Sequence, residues 1–217
     1  MGKSGQISLA VLFYTYGGTN MSNITWDKLS ISFPYTFGQI TEKRVNKTAN
    51  MLNEAGIKIM ATMLPSPGVC LYVQSENKGV IIISENSISY NITANEYNRM
   101  KKNLQIIADV FSVEDMIPYV INFEGESNSE NTHINSVNMF NNKMNIELGN
   151  QIYGVGYRFL FKRDFYDGEY KVEPMIEDSS KMYFQLIINI PGSLTIDEAF
   201  EVIEREVDEI DQMAKIV

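Results

Sequence analysis

The residues best suited to chemistry in this 217-residue chain are its one cysteine, Cys70, and its one histidine, His133. A thiol becomes a catalytic nucleophile when a base such as histidine lies within hydrogen-bond reach. Cys70 lies in an alternating apolar stretch typical of a β-strand, whereas His133 follows an acidic loop in the other half of the chain. Nothing in the pattern brings the two together. We interpret Cys70 as a buried or strand-surface cysteine, and the sequence favours a protein that is not an enzyme.

Carboxylates that precede His133 suggest a metal site as a second possibility. Glu124, Glu126 and Glu130 lie in the acidic loop, but their spacing to the histidine matches neither a zinc nor a calcium signature. The stretch is typical of a solvated loop, with Glu130 near a helix start, where negative charge is favourable. We therefore expect no bound metal and no cofactor.

A group of aromatic, glycine and arginine side chains forms the candidate ligand site: Tyr153, Gly154, Gly156, Tyr157 and Arg158. A phosphate loop requires a strand, a glycine turn and then a helix, whereas these glycines lie inside a pattern that predicts a strand over 152–162. The glycines favour close packing of a helix or backbone on that face. The alternative is a ligand pocket above the glycines, walled by aromatic rings, in which Arg158 binds an anion instead of pairing with a carboxylate or water.

The acidic side chains are concentrated in a predicted helix near the C-terminus. Five of them step by four, three, four and three residues along one side, opposite the apolar stripe: Asp197, Glu201, Glu204, Asp208 and Asp211. The ordinary interpretation of this acidic stripe is the solvated side of an amphipathic helix. Like charges at these steps cost a helix about a few tenths of a kcal/mol per pair. The alternative is therefore a docking surface for a basic protein partner.

Net charge and cysteine content limit the remaining classes of function. A net charge of −9 repels phosphate backbones, so nucleic acid is not an expected partner. One cysteine cannot form an internal disulfide, which favours a cytoplasmic protein. The apolar run over 7–16 is shorter than the roughly 20 residues that span a bilayer. We predict a strand there, and we expect no membrane partner.

Hydrophobic periodicity predicts the elements that would position these residues. Alternation predicts further strands over 29–37, 57–63, 69–73, 80–83, 88–92, 116–123, 152–162, 170–176 and 182–190. Spacing of three and four predicts helices over 41–55, 97–111, 132–148 and 195–214. Pro34 lacks an N–H and predicts an edge position or a bulge for its strand.

The predicted elements occur in a similar order twice. Residues 1–112 give β-α-β-β-β-β-α with an extra N-terminal strand, and residues 113–217 give β-α-β-β-β-α. Each half closes with a helix opened by Thr-x-x-Glu, at Thr93–Glu96 and at Thr195–Glu198, a spacing that lets both side chains cap the helix. This order resembles the halves of TATA-binding-protein-like folds, although the resemblance carries no functional residue. We predict an α+β fold with antiparallel strands and helices on one side.

The sequence leaves two functional hypotheses open. The first is a soluble interaction protein that binds a protein partner or forms a homodimer through an open sheet face or the acidic stripe. The second is a small-molecule sensor or enzyme with a pocket between sheet and helices near Arg158. A broad apolar patch on the sheet would favour the first hypothesis, and a deep pocket with converging polar groups would favour the second.

Overall fold

The computed structural model describes residues 24–75, 79–93, 96–114, 117–144 and 152–214, and the strand predicted over 7–16 lies outside them. Within these ranges the chain forms nine strands and four helices, and the strands join one antiparallel sheet. The predicted α+β class is therefore confirmed. The strands are β1 Ile24–Pro34, β2 Ile59–Ser66, β3 Val69–Gln74, β4 Val80–Ser84, β5 Ser87–Thr93, β6 Ile117–Asn128, β7 Tyr157–Lys162, β8 Asp167–Pro174 and β9 Lys181–Leu194. The helices are α1 Glu42–Glu54, α2 Tyr97–Phe111, α3 Thr132–Met144 and α4 Ile196–Ala214.

The sheet has the strand order β2-β3-β4-β5-β1-β6-β9-β8-β7. Alternate side chains on each inner strand are buried, as in β1, where Leu29, Ile31 and Phe33 are buried. These side chains form one apolar core with the buried residues of α1, α2 and α4. These three helices thus pack on one face of the sheet, and we name the opposite face, on which no core residue of the described ranges lies, the open face. No helix within the described ranges is long and apolar enough to cross a membrane.

Helix ends follow their capping residues. The Thr41 hydroxyl accepts a hydrogen bond from the Arg44 N–H at the start of α1, and Gly56 has a left-handed φ of 99° after its end. The predicted box at α4 is confirmed, because the Glu198 N–H donates to the Thr195 hydroxyl (3.2 Å) and the Thr195 N–H donates to the Glu198 carboxylate (2.8 Å).

The predicted cap of α2 is wrong. The cap residue is Glu96, not Thr93, and it makes no side-chain capping hydrogen bond. Its carboxylate lies 3.3 Å from the Arg99 guanidinium instead. An ion pair one turn along the helix therefore takes the place of the box.

Strand β7 is shorter than the sequence predicts, because it begins at Tyr157 and not at residue 152. Before it, the Val155 N–H donates to the Ser136 hydroxyl of α3 at 3.0 Å. A side chain built on Gly154 would come within 3.1 Å of the Pro174 ring. The backbone therefore leaves the sheet to follow α3, and the glycines permit the close approach.

The centre of the sheet contains a β-bulge in β1, between Trp26 and Lys28. Gly125 of β6 faces this bulge, and a Cβ on Gly125 would lie 2.7 Å from the Thr25 carbonyl oxygen and 2.9 Å from the Trp26 ring. Glycine is therefore required here by space, since its own backbone has no left-handed φ.

Candidate functional site

A cleft of about 840 Å³ lies where α3 approaches the turn between β8 and β9, and we name it the His133 cleft. Its volume falls within the range of small-molecule sites. Three of the five predicted ligand residues, Tyr153, Gly154 and Gly156, line it. The other lining residues are His133, Ile152, Lys171, Glu173, Pro174, Met175, Ile176, Glu177 and Tyr183.

Two aromatic rings of the cleft are held in fixed positions by α3 and its neighbours. His133 Nε2 lies 2.7 Å from the Met175 carbonyl oxygen, and a carbonyl can only accept, so Nε2 carries a proton. The Tyr153 ring packs nearly perpendicular to the imidazole, with centroids 4.8 Å apart. The Tyr153 side chain nevertheless remains 60% exposed. The cleft thus presents a positioned and accessible aromatic wall.

Charged groups from β8 form the opposite side of the cleft. Lys171 Nζ lies 2.9 Å from the Glu173 carboxylate and 5.7 Å from the centroid of the Tyr183 ring. Burial, followed by the charges of Glu124 and Glu173, raises the pKa of Tyr183 to about 12. The Tyr183 hydroxyl is therefore neutral at physiological pH, and it lies in a negative local potential.

The remaining two predicted ligand residues lie outside the cleft. The Tyr157 hydroxyl donates to the Ser136 carbonyl oxygen of α3 at 3.1 Å. Arg158 Nε donates to Glu169 of β8 at 2.6 Å, and its side chain is 65% exposed. Arg158 is thus an ion-paired residue on the open face, away from the cleft lining.

The acidic stripe of α4 is exposed along only part of its length. Asp197 lies 2.6 Å from Lys101 of α2, and Glu201 is exposed, whereas Asp211 is buried. Glu204 and Asp208 are half-buried, and burial raises the pKa of both. The exposed carboxylates that remain are too few for a continuous docking surface.

Sequence reasoning missed a buried charge cluster on the same helix. The Glu206 carboxylate is fully buried and accepts Arg163 Nε at 3.1 Å, Arg163 Nη2 at 3.0 Å and the hydroxyls of Tyr166 and Tyr170. Burial alone would raise the pKa of Glu206, but the guanidinium and the two hydroxyls bring it below its ordinary value. The sequence does indicate a buried carboxylate here, because Glu206 lies three residues after Ile203 and therefore on the apolar side of the helix. This cluster joins α4 to the β7–β8 hairpin.

The open face of the sheet contains a region of ion pairs on β1 and β6 to β9 and an aliphatic region on β2 to β4. In the first region, ion pairs cross between neighbouring strands: Lys28–Glu124, Lys181–Glu126 and Arg158–Glu169. In the aliphatic region, seven side chains of β2, β3 and β4 lie on the open face, and we name them the aliphatic patch: Ala61, Met63, Val69, Leu71, Val73, Val80 and Ile82. These ion pairs satisfy six charged open-face side chains, whereas the patch offers apolar surface to a partner.

The two outer strands of the sheet differ in how they protect their edges. Strand β2 has two register irregularities against β3 and contains Pro65, and such features discourage pairing with another strand. Strand β7 pairs with β8 in regular register. The aliphatic patch is therefore suited to binding through its face and not through the edge of β2.

Cys70 and His133, which the sequence pattern does not bring together, lie on distant elements of the fold. Cys70 lies on β3 and is fully buried, with its thiol pKa raised by burial. His133 lies on α3 beside β8, near the other end of the sheet. Over the described part of the chain, no group of three or more histidine, cysteine or acidic residues could hold a metal ion.

Comparisons with known proteins do not identify a family. No family model matches the chain, and no curated protein matches it. A crystal structure of aspartokinase alpha and beta subunits is similar over 78% of this chain and 88% of that chain, with 8% identity and a TM-score of 0.20. A likeness this weak carries no argument, so a functional hypothesis rests on the geometry above.

Proposed function

We propose that this chain is a protein-interaction module that self-associates through the aliphatic patch. The observation that carries the proposal is the composition of the patch, seven aliphatic or thioether side chains side by side on an open sheet face. Met63 is 51% exposed on the outer strand β2, beside Leu71 of β3. The other six side chains are partly buried within the sheet surface. Burying their remaining apolar area contributes roughly 25 cal/mol per Å², which favours association at this cluster.

A second copy of the chain is the occupant that the chemistry of the patch favours. A twofold interface brings the same surface of both subunits together, so that surface has to complement itself. The patch contains no charged side chain, and two copies stacked face to face therefore place no like charges in contact. The acidic stripe is a weaker candidate, because it would require a basic partner and its Asp211 end is buried.

A matched pair of lysine substitutions tests this proposal. Ile82 of β4 lies directly opposite Ser89 of β5, and both side chains point to the open face. Ile82→Lys places a charge inside the patch, whereas Ser89→Lys places one beside it. We expect chemical cross-linking to capture a dimer of wild type and Ser89→Lys but not of Ile82→Lys. Met63→Lys, at a half-exposed position of the edge strand, should also abolish the dimer.

Equal cross-linking of all four proteins, or of none, would contradict self-association through the patch. Thermal unfolding of each variant verifies that it is folded. A heterologous partner captured by a strictly monomeric wild type would likewise overturn the choice of a second copy.

We further infer that residues 1–112 and 113–217 are two related halves with TATA-binding-protein-like element order. Support comes from the strand order, in which β1 and β6 pair at the centre and each lies beside the last strand of its half, β5 or β9. Each half also closes with a helix, α2 or α4. Unequal strand numbers then distinguish the halves, and the aliphatic patch belongs to the first.

The second candidate function is a small-molecule sensor that uses the His133 cleft. The observation in its favour is that Tyr153, Gly154 and Gly156 line a cavity of about 840 Å³ together with charged and aromatic groups. A thermal-shift screen of small metabolites on wild type and Tyr153→Ala tests it. We expect at least one compound to stabilise wild type and not the variant, and equal shifts in both proteins would exclude Tyr153 from the site.

A further inference from the structure

The His133 cleft already holds one ammonium group of its own. Lys171 Nζ lies over the Tyr183 ring, 5.7 Å from its centroid, and 2.9 Å from the Glu173 carboxylate. A cation over an aromatic face with a carboxylate beside it is a favourable arrangement, since the ring face is negative. The walls of this cleft thus have the chemistry that binds organic cations.

A second aromatic side chain and a second carboxylate line the same cleft, and no lysine of the described lining pairs with them. The Tyr153 side chain is 60% exposed and lines the cleft, and its ring lies nearly perpendicular to the His133 ring. The exposed Glu177 carboxylate lines the same cavity. Among the described residues, Glu177 forms no ion pair. The cleft lining therefore includes the carboxylate of Glu177 and the aromatic side chain of Tyr153.

The remaining lining of the cleft favours a ligand with an apolar body. Ile152 is 47% exposed and Ile176 is 81% exposed, and both line the cavity together with Met175. The glycines at 154 and 156 bring backbone, not side chains, to the floor. Lys171 balances the charge of Glu173, so the remaining carboxylate of Glu177 disfavours an anionic ligand.

We propose that the His133 cleft binds an organic cation, whose ammonium head lies between the Tyr153 ring and Glu177 and whose apolar part contacts Ile152 and Ile176. This proposal rests on the second candidate function, since it names the ligand class of that site. It is independent of self-association, because the aliphatic patch lies on β2, β3 and β4 at the other end of the sheet.

Choline and its neutral isostere, 3,3-dimethylbutan-1-ol, test the charge requirement on the full chain. The two probes have the same shape, so a difference in affinity measured by titration calorimetry reports the cation alone. A cation–π contact contributes about 0.5–2 kcal/mol, which corresponds to a roughly 2- to 30-fold preference for choline. We expect Tyr153→Leu and Glu177→Gln each to weaken choline binding several-fold. Glu209→Gln, an exposed carboxylate on α4, should leave it unchanged.

Distinct outcomes separate failure of the ligand class from failure of the site. If both probes bind equally well and Tyr153→Leu abolishes this binding, the ligand class is wrong but the cleft remains a small-molecule site. Binding of neither probe, together with no Tyr153-dependent compound in the metabolite screen, would overturn both. Choline binding that survives Tyr153→Leu and Glu177→Gln would place the cation elsewhere and also contradict the proposal.

Discussion

Replacing Glu206 by glutamine should destabilise the protein more than any surface carboxylate substitution. Each carboxylate oxygen of Glu206 accepts one hydrogen bond from Arg163 and one from a tyrosine, Tyr166 on one oxygen and Tyr170 on the other. The amide nitrogen of glutamine cannot accept, so one guanidinium N–H and one hydroxyl lose their acceptor. The charge that compensates Arg163 is lost as well.

The expected loss of unfolding free energy follows from the hydrogen bonds of Glu206 and from the exposure of Arg163. A hydrogen bond to a charged group contributes roughly 1.5–3 kcal/mol. The Arg163 side chain is 37% exposed, so water replaces part of what it loses. We therefore expect Glu206→Gln to lower the free energy of unfolding by roughly 2–4 kcal/mol. In a chain of this size each kcal/mol lowers Tm by about 2–4 °C.

Urea unfolding followed by fluorescence of Trp26, the one tryptophan of the chain, measures this change because Trp26 is buried in the folded protein. The exposed Glu209→Gln serves as the matched control on the same helix and should change stability by less than about 0.5 kcal/mol. In a double-mutant cycle, Arg163→Met and Glu206→Gln should cost less together than the sum of both. Additive effects, or a Glu206→Gln variant as stable as Glu209→Gln, would refute the assigned role of the cluster.

The pH dependence of this difference has a defined sign. The pKa of Glu206 is lower in the folded protein than its ordinary value, so the folded state favours the charged form. The stabilisation is therefore complete above the ordinary glutamate pKa of about 4.3 and is lost as the pH falls through the lower, folded pKa. Wild type and Glu206→Gln should converge in stability upon acidification in that window, and a gap that stays constant there would contradict the ionised assignment.

Two further predictions concern local structure and use denaturant unfolding. Glu198→Ala should lower the urea midpoint because it removes the capping box of α4. Glu96→Ala should lower it less, since only the surface pair with Arg99 is lost, and equal losses would contradict the different caps. Gly125→Ala should destabilise by roughly 2 kcal/mol or more, because its Cβ meets backbone at 2.7 Å. Gly192→Ala, with no atom within 4 Å of its Cβ, should be within about 1 kcal/mol of wild type, and a neutral Gly125→Ala would show that the bulge can relax.

Periodicity was sufficient to predict most elements of this fold. The helix over 41–55 and the short strands that follow it are confirmed within a few residues, because their apolar spacing and their Thr41 and Gly56 signals agree. The edge position that Pro34 predicted for its strand is wrong, and the bulge of β1 lies away from Pro34, between Trp26 and Lys28. β1 lies at the sheet centre, and Pro34 is simply its last residue, where the missing N–H has little cost.

The candidate site was less accessible from sequence, since it depends on contacts between distant segments. The spacing of Gly154 and Gly156 indicated room for close packing, but His133 and Tyr183 line one cleft only because α3 packs beside the β8–β9 hairpin. Likewise, the pairing of Arg158 with Glu169 depends on the β7–β8 register. The aliphatic patch escaped prediction because β3 and β4 are apolar on both faces, which in sequence is typical of fully buried strands.

Sedimentation equilibrium of the wild-type chain over a wide concentration range tests the central proposal most directly. Self-association through the aliphatic patch predicts a mass that rises with concentration from 24.7 kDa towards twice that value. The same series on Ile82→Lys should stay at the monomer mass. A wild-type mass of 24.7 kDa at every concentration would contradict the account.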